Sequence, residues 1–147
     1  MHSTMFRRAA IGVGLAGAAA AASLVAAAPA NAAAFCNPGF HCVFISSLGS
    51  SQHSYFNSDP NFTDDSFDNG LNVNDNVWSA SNSSTGGFES HYYYDINYLG
   101  GLVFCVNPGH TVNYNQLTDD NIDGNHVGQR DEVSSLRLRP TTPIPCF

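Results

Sequence analysis

The sequence predicts an all-β domain, and three observations carry that expectation. Short runs rich in aromatic and β-branched residues recur at close spacing, separated by clusters of Gly, Pro, Asn and Ser. No stretch beyond residue 32 repeats its apolar residues at convincing helical spacing. Four cysteines, Cys36, Cys42, Cys105 and Cys146, fall in this same region, the pattern of a small domain stapled by disulfides.

The N-terminal stretch has a different character. Arg7 and Arg8 precede an almost purely apolar run from Ala9 to Ala28, and Pro29 and Ala30-Asn31-Ala32 follow. A charged region, an apolar region and an A-x-A pattern together read as a secretory signal peptide over residues 1–32. The run is long enough to span a bilayer, but Ala and Gly dominate it and a cleavage pattern closes it, which favours a signal over an anchor. The expected mature chain, 33–147, is then extracellular and of single-domain size. It holds no lysine, and three arginines stand against ten Asp and two Glu, a formal charge of −9. Such a surface argues against nucleic acid or anionic membrane as a partner and suits calcium or a basic protein. A monomer is expected.

Taken in order, Val43, Phe44 and Ile45 mark a first strand within Phe40–Ser47, and His53–Phe56 a short second one. Asn57–Asn69 is a long polar loop from which Phe62 and Phe67 should dip into the core. Leu71–Ser81 reads as another strand region, closed by Asn82-Ser-Ser-Thr-Gly-Gly87, the natural joint between two halves. Phe88 opens the second half, with strands expected over Leu102–Val106, Thr111–Leu117 and Glu132–Leu138 and an acidic loop over Thr118–Gly128. Four cysteines allow three pairings. The Pro-Gly turn inside Cys-Asn-Pro-Gly-Phe-His-Cys favours Cys36–Cys42, and Cys105–Cys146 follows by elimination. Zinc is the alternative, but no Cys-x2-Cys or matching His spacing is present.

The most informative run is Phe88–Gly109, centred on Tyr93-Tyr-Asp-Ile-Asn-Tyr98-Leu-Gly100-Gly101. Tyr93 and Tyr98 would point to opposite sides of a flat strand, so they can share a face only if the chain bends near Asp95 and Asn97. This Tyr-x4-Tyr-x-Gly spacing resembles the signature hairpin of the βγ-crystallin Greek key. The resemblance implies a βγ-crystallin-like sandwich of two Greek-key motifs, about 36–82 and about 88–140. In the first half the second aromatic is missing, with Leu48-Gly49 in its place.

Two further runs, Asp75-Asn-Val-Trp-Ser79-Ala80 and Arg130-Asp-Glu-Val-Ser134-Ser135, resemble the calcium motif of that family. Hard oxygen ligands are what calcium requires. The resemblance implies Ser79, Asp131, Ser134 and either Asp75 or Asn76 as ligands. Ala80 and Arg130 depart from the pattern, and Arg130 sets a positive charge beside the implied site.

The Cys36-x5-Cys42-Val-Phe44 start, placed before such hairpins, is similar to the actinobacterial metalloproteinase inhibitors, peptidase inhibitor family thirty-six. That resemblance implies an extracellular peptidase as partner, a rigid presented loop, and Cys105-Val106 as the reactive bond, with Val106 entering an apolar pocket. A second nearby cysteine that would close a small local loop is absent from this chain. No catalytic role is expected, because none of the histidines sits in an HExxH or G-x-S-x-G context. A calcium-binding extracellular module and a killer-toxin-like antimicrobial protein are the alternatives.

Overall fold

In a computed structural model of the protein, residues 33–118 and 128–147 are described. The signal peptide expected over 1–32 and most of the acidic loop expected over 118–128 lie outside them. The described chain forms β1 (His41–Phe44), β2 (Gln52–Tyr55), β3 (Ser79–Asn82), β4 (Phe88–Tyr93), β5 (Leu102–Val106), β6 (Thr111–Val112) and β7 (Ser135–Pro140). Three single 3-10 turns are the only helical pieces among the described residues. One sheet has the order β2-β1-β3-β6 and the other β5-β4-β7. Every strand pair is antiparallel.

The two sheets share one core. Val43, Ala80 and Val112 from the first meet Tyr92, Phe104, Val106 and Leu136 from the second. Phe62 and Phe67 join them from the polar loop, as expected. The sheets also exchange chain. β6 comes from the second half but completes the first sheet, and Asp59 of the first half bridges to Leu136 of β7.

Three expected strands come out shorter than predicted, each for a local reason. Of the expected Leu71–Ser81 stretch, Asn72 makes a single bridge to Ser66 and the strand β3 begins only at Ser79, because Asp75 takes a left-handed conformation at φ 55°. Asp131, at φ 68°, likewise delays the last strand to Ser135. β6 stops at Val112 because Asn113 caps a 3-10 turn, its side chain accepting from Tyr114 N while Gln116 Oε1 accepts from Asn113 N at 2.8 Å.

The Tyr93–Gly101 hairpin folds back as its spacing requires. A register shift at Tyr92/Tyr93 and a turn at Ile96–Tyr98 bring the two tyrosine rings to 6.1 Å in an edge-to-face contact. Gly100 closes the fold at φ 75°, where a Cβ would stand 2.7 Å from the Asp95 carboxylate and 2.8 Å from Tyr94 Cβ. No other residue fits there. Ser135 pins the hairpin from below, its Oγ donating to Asp95 O at 2.7 Å and accepting from Tyr98 N. In the first half Ser79 Oγ donates in the same way to Ser46 O, and Leu48 packs on Phe44 where the aromatic is missing.

Both disulfides have the pairing predicted, Cys36–Cys42 and Cys105–Cys146. The first part of the Ser/Gly joint, Asn82 to Ser84, is a buried seam, while Thr85 to Gly87 is exposed. Asn82 Nδ2 donates to Phe88 O and Val106 O at 2.8 and 2.9 Å, and Ser83 Oγ to Ala33 O and Cys36 O.

Candidate functional site

The Cys105–Val106 bond does not occupy a presented loop. Both residues lie inside β5, Val106 opposite Ser90 and Cys105 opposite His91. Val106 is fully buried in the shared core. A bond held in a strand with both side chains buried cannot enter another protein's cleft, so the expected reactive bond is not a presented one. The Cys-hydrophobic pattern marks a disulfide-bearing core strand.

The calcium-motif residues are brought together in part. Asp75 N donates to Val133 O, and Asp131 N donates to Val77 O, each at 3.0 Å. This reciprocal pair makes Asp75 the counterpart of Asp131. Ser79 and Ser135 match too, since they face Phe44 and Tyr93 on their neighbouring strands. The two motifs therefore align one residue away from the register in which Asp75 faces Arg130. The repeat Asp-x-Val-x-Ser, present at Asp75–Ser79 and again at Asp131–Ser135, is the sequence signal for the true register.

Across the halves, Ser134 Oγ donates to Asp75 Oδ1 at 3.3 Å, and Asn74 Nδ2 donates to the other carboxylate oxygen. Asn76 is exposed and spends its amide on Asn74 O. Ser79 is fully buried and turned toward Ser46 and Asn113, so it takes no part in this pair. On the Asp131 side Trp78 holds the position that matches Ser134, and the Arg130 guanidinium stacks on its ring at 4.5 Å. A cation and an indole thus stand where the second set of oxygens would be. Trp78 and Asn74 are the site-lining residues that the one-residue offset hid.

A second polar cluster lies on β4. Ser90 and Tyr92 face the core, so Glu89 and His91 face outward, yet both are 1% exposed. The C-terminal tail covers them. After β7 the chain crosses β4, and Thr142 donates its N–H and its Oγ–H to the Glu89 carboxylate at 2.9 and 2.8 Å. The tail then follows β5, with Phe147 N donating to Cys105 O at 2.9 Å. His91 Nε2 meets Glu89 Oε2 at 2.7 Å. Burial alone would raise the Glu89 carboxyl, but the hydrogen bonds from His91 and Thr142 outweigh it and hold the group below its usual range. Burial depresses His91 despite Glu89, and Arg139 and Arg137 add to the effect. His41, whose Nδ1 meets Ser90 Oγ at 2.6 Å, is lowered by burial to about 4.

A shallow cleft of about 420 Å³ opens beside His41, between the exposed rings of Phe56 and Phe88. Among the described residues no serine, histidine and carboxylate assemble there. No family model, curated protein or solved structure matches this chain.

Two predictions follow from this geometry. Val106→Asp buries an unpaired carboxylate in the core and should destabilise the fold by roughly 3 kcal/mol or more, read from a urea melt. Acid should destabilise the native state through the histidines. His41 keeps its neutral form when folded, so its contribution is fully present above about pH 6.5 and is lost as the pH falls toward about 4. The melting temperature should decline across that window, and His41→Gln should flatten the decline.

Proposed function

We propose that the chain is a secreted peptidase inhibitor of βγ-crystallin-like build. The strand orders β2-β1-β3-β6 and β5-β4-β7 support reading it as two interlocked Greek keys, each half lending a segment to the other's sheet. Two disulfides fit an oxidising compartment. Among the described residues no helix is long and apolar enough to cross a membrane.

The observation that carries the inhibitory reading is the turn Phe67–Leu71. Phe67 is buried as an anchor, while Leu71, which closes the turn opposite it, is 55% exposed. Phe67 N donates to Leu71 O at 2.8 Å, and Gly70 N to Phe67 O at 2.8 Å. Asp68 N is tied to Gln52 O, Asn69 N to Ser51 Oγ, and Leu71 N to Asn69 Oδ1. An apolar side chain on a turn fixed at every step loses little entropy when it docks, which is what a rigid inhibitory loop needs. Leu71 replaces Val106 as the residue that enters an apolar pocket of a metallopeptidase, and Gly70–Leu71 becomes the presented bond. Inhibition constants against a panel of secreted metallo- and serine peptidases test this. Leu71→Asp should weaken inhibition at least ~100-fold, since an unpaired charge in an apolar pocket costs several kcal/mol. It should leave the melting temperature nearly unchanged because the side chain is exposed. A wild-type protein that inhibits no peptidase would end the proposal.

The contact between Asp75 and Ser134 favours a second reading, a calcium-stabilised extracellular module. Its cation would bridge the halves at that pair, with the Trp78–Arg130 side closed. Millimolar calcium should then raise the melting temperature, because a ligand bound only by the native state stabilises it. Asp75→Ala and Ser134→Ala should each abolish the rise, and Asn76→Ala should not. Indifference of the wild type to calcium and chelator alike would remove this reading.

A further inference from the structure

The buried cluster on β4 leaves one group unexplained. With Glu89 ionised, its short contact to His91 requires a proton on Nε2, so Nδ1 carries a bare lone pair. That nitrogen is buried and has no hydrogen-bond partner among the described residues. A buried acceptor left without a donor is costly and calls for an explanation. A His91 ring nitrogen and the sulfurs of Cys105 and Cys146 all lie within 4.8 Å of one another. Glu89 holds Nε2, which leaves Nδ1 as the ring nitrogen with a lone pair to offer a cation.

We propose that the Cys105–Cys146 disulfide masks a Cys2His site for a thiophilic divalent cation, with zinc as the fitting ion, and that reduction of this disulfide opens the site. A dithiol reductant breaks the S–S bond, delivers two electrons and two protons to the sulfurs, and leaves as its own disulfide. Cation binding then displaces both thiol protons to solvent and forms two metal–thiolate bonds. His91 Nδ1 supplies the third ligand from its lone pair, and water takes the open fourth position. Zinc bonds of about 2.3 Å to sulfur and about 2.0 Å to nitrogen place tetrahedral ligand atoms roughly 3.3–3.8 Å apart. The two sulfurs, bonded to each other in the disulfide, must therefore separate. Cys146 sits on the tail and can shift more readily than Cys105, which is fixed in β5. Glu89 completes a carboxylate–histidine–metal relay, orienting the imidazole and raising its basicity. Its own anchors on Thr142 keep it in place.

The three ligands come from β4, β5 and the C-terminal tail, so they make no local spacing that a motif scan could find. The Cys36–Cys42 pair provides the internal control. It has the two sulfurs but belongs to a separate apolar cluster with Phe44, Phe40 and Leu48.

The test reduces the mature protein with a water-soluble phosphine, which becomes its oxide with oxygen from water and leaves free thiols. After anaerobic removal of the phosphine, Co2+ is added as a spectroscopic probe and Zn2+ as its competitor. The expected result is thiolate-to-cobalt charge-transfer absorption saturating at a single ion per chain, bleached by zinc. It should be lost in Cys146→Ser and retained in Cys36→Ser/Cys42→Ser. Glu89→Gln should weaken cobalt affinity about 10–100-fold, as removal of an orienting carboxylate does. Near-UV circular dichroism with and without zinc reads the fold of each reduced variant, and zinc should restore native dichroism if reduction loosens it. Absence of the absorption in the reduced wild type would overturn the proposal. So would equal cobalt affinity in His91→Gln and wild type, or zinc binding with no recovery of a loosened fold.

Discussion

The fold depends on an exchange of backbone between its halves. Asp59 and Leu136 trade hydrogen bonds in both directions at 2.8 Å, and β6 completes the sheet of the other half. Asp75 and Asp131 repeat the exchange through Val133 and Val77. Neither half can satisfy its own buried N–H and C=O groups alone, and each unsatisfied group would cost about 1–3 kcal/mol. The shared core follows from this interlock, since Tyr92, Phe104 and Leu136 bury against side chains of the other half. So do the polar clusters, because Asp75 meets Ser134 only where the two loops cross.

Much of this was legible in the residues. The bend demanded by the Tyr93–Tyr98 spacing, the two disulfides and the inward turn of Phe62 and Phe67 are local consequences of pattern and turn chemistry. Strand lengths were less legible. Asp75 inside one run that reads as extended, and Asp131 just before another, adopt left-handed backbone, and each is bonded to the opposite half. A sequence window contains no sign of that partner. The one-residue offset between the motifs has the same origin. Side-chain type favoured aligning Ser79 with Ser134, but strand register aligns Ser79 with Ser135, and both serve as buried pins under a hairpin.

The site was harder still. A cysteine followed by valine has the same composition on an exposed loop as in a core strand. Burial decides between them, and burial is a property of the whole fold. Val106 lies opposite Ser90 on β5, and its side chain is buried in the core that the two sheets share. Leu71 shows the converse. In the sequence it looks like the start of a core strand, yet it sits exposed on a turn whose anchor, Phe67, carries the apolar burial for the segment.

Glu89 and His91 show what the C-terminal tail contributes. On the outward face of a sheet these side chains would ordinarily be solvated, and Arg137 and Arg139 lie directly opposite them on β7. The tail removes that water and replaces part of it with two Thr142 donors and a disulfide. Burial of an ionised carboxylate beside a neutral imidazole contributes little net stability compared with apolar packing. Its value must lie in holding the imidazole at a fixed orientation, and the nitrogen so oriented is the one left without a donor. The Cys105–Cys146 disulfide fastens the tail to β5 beside this cluster, its sulfurs within 4.8 Å of a His91 ring nitrogen.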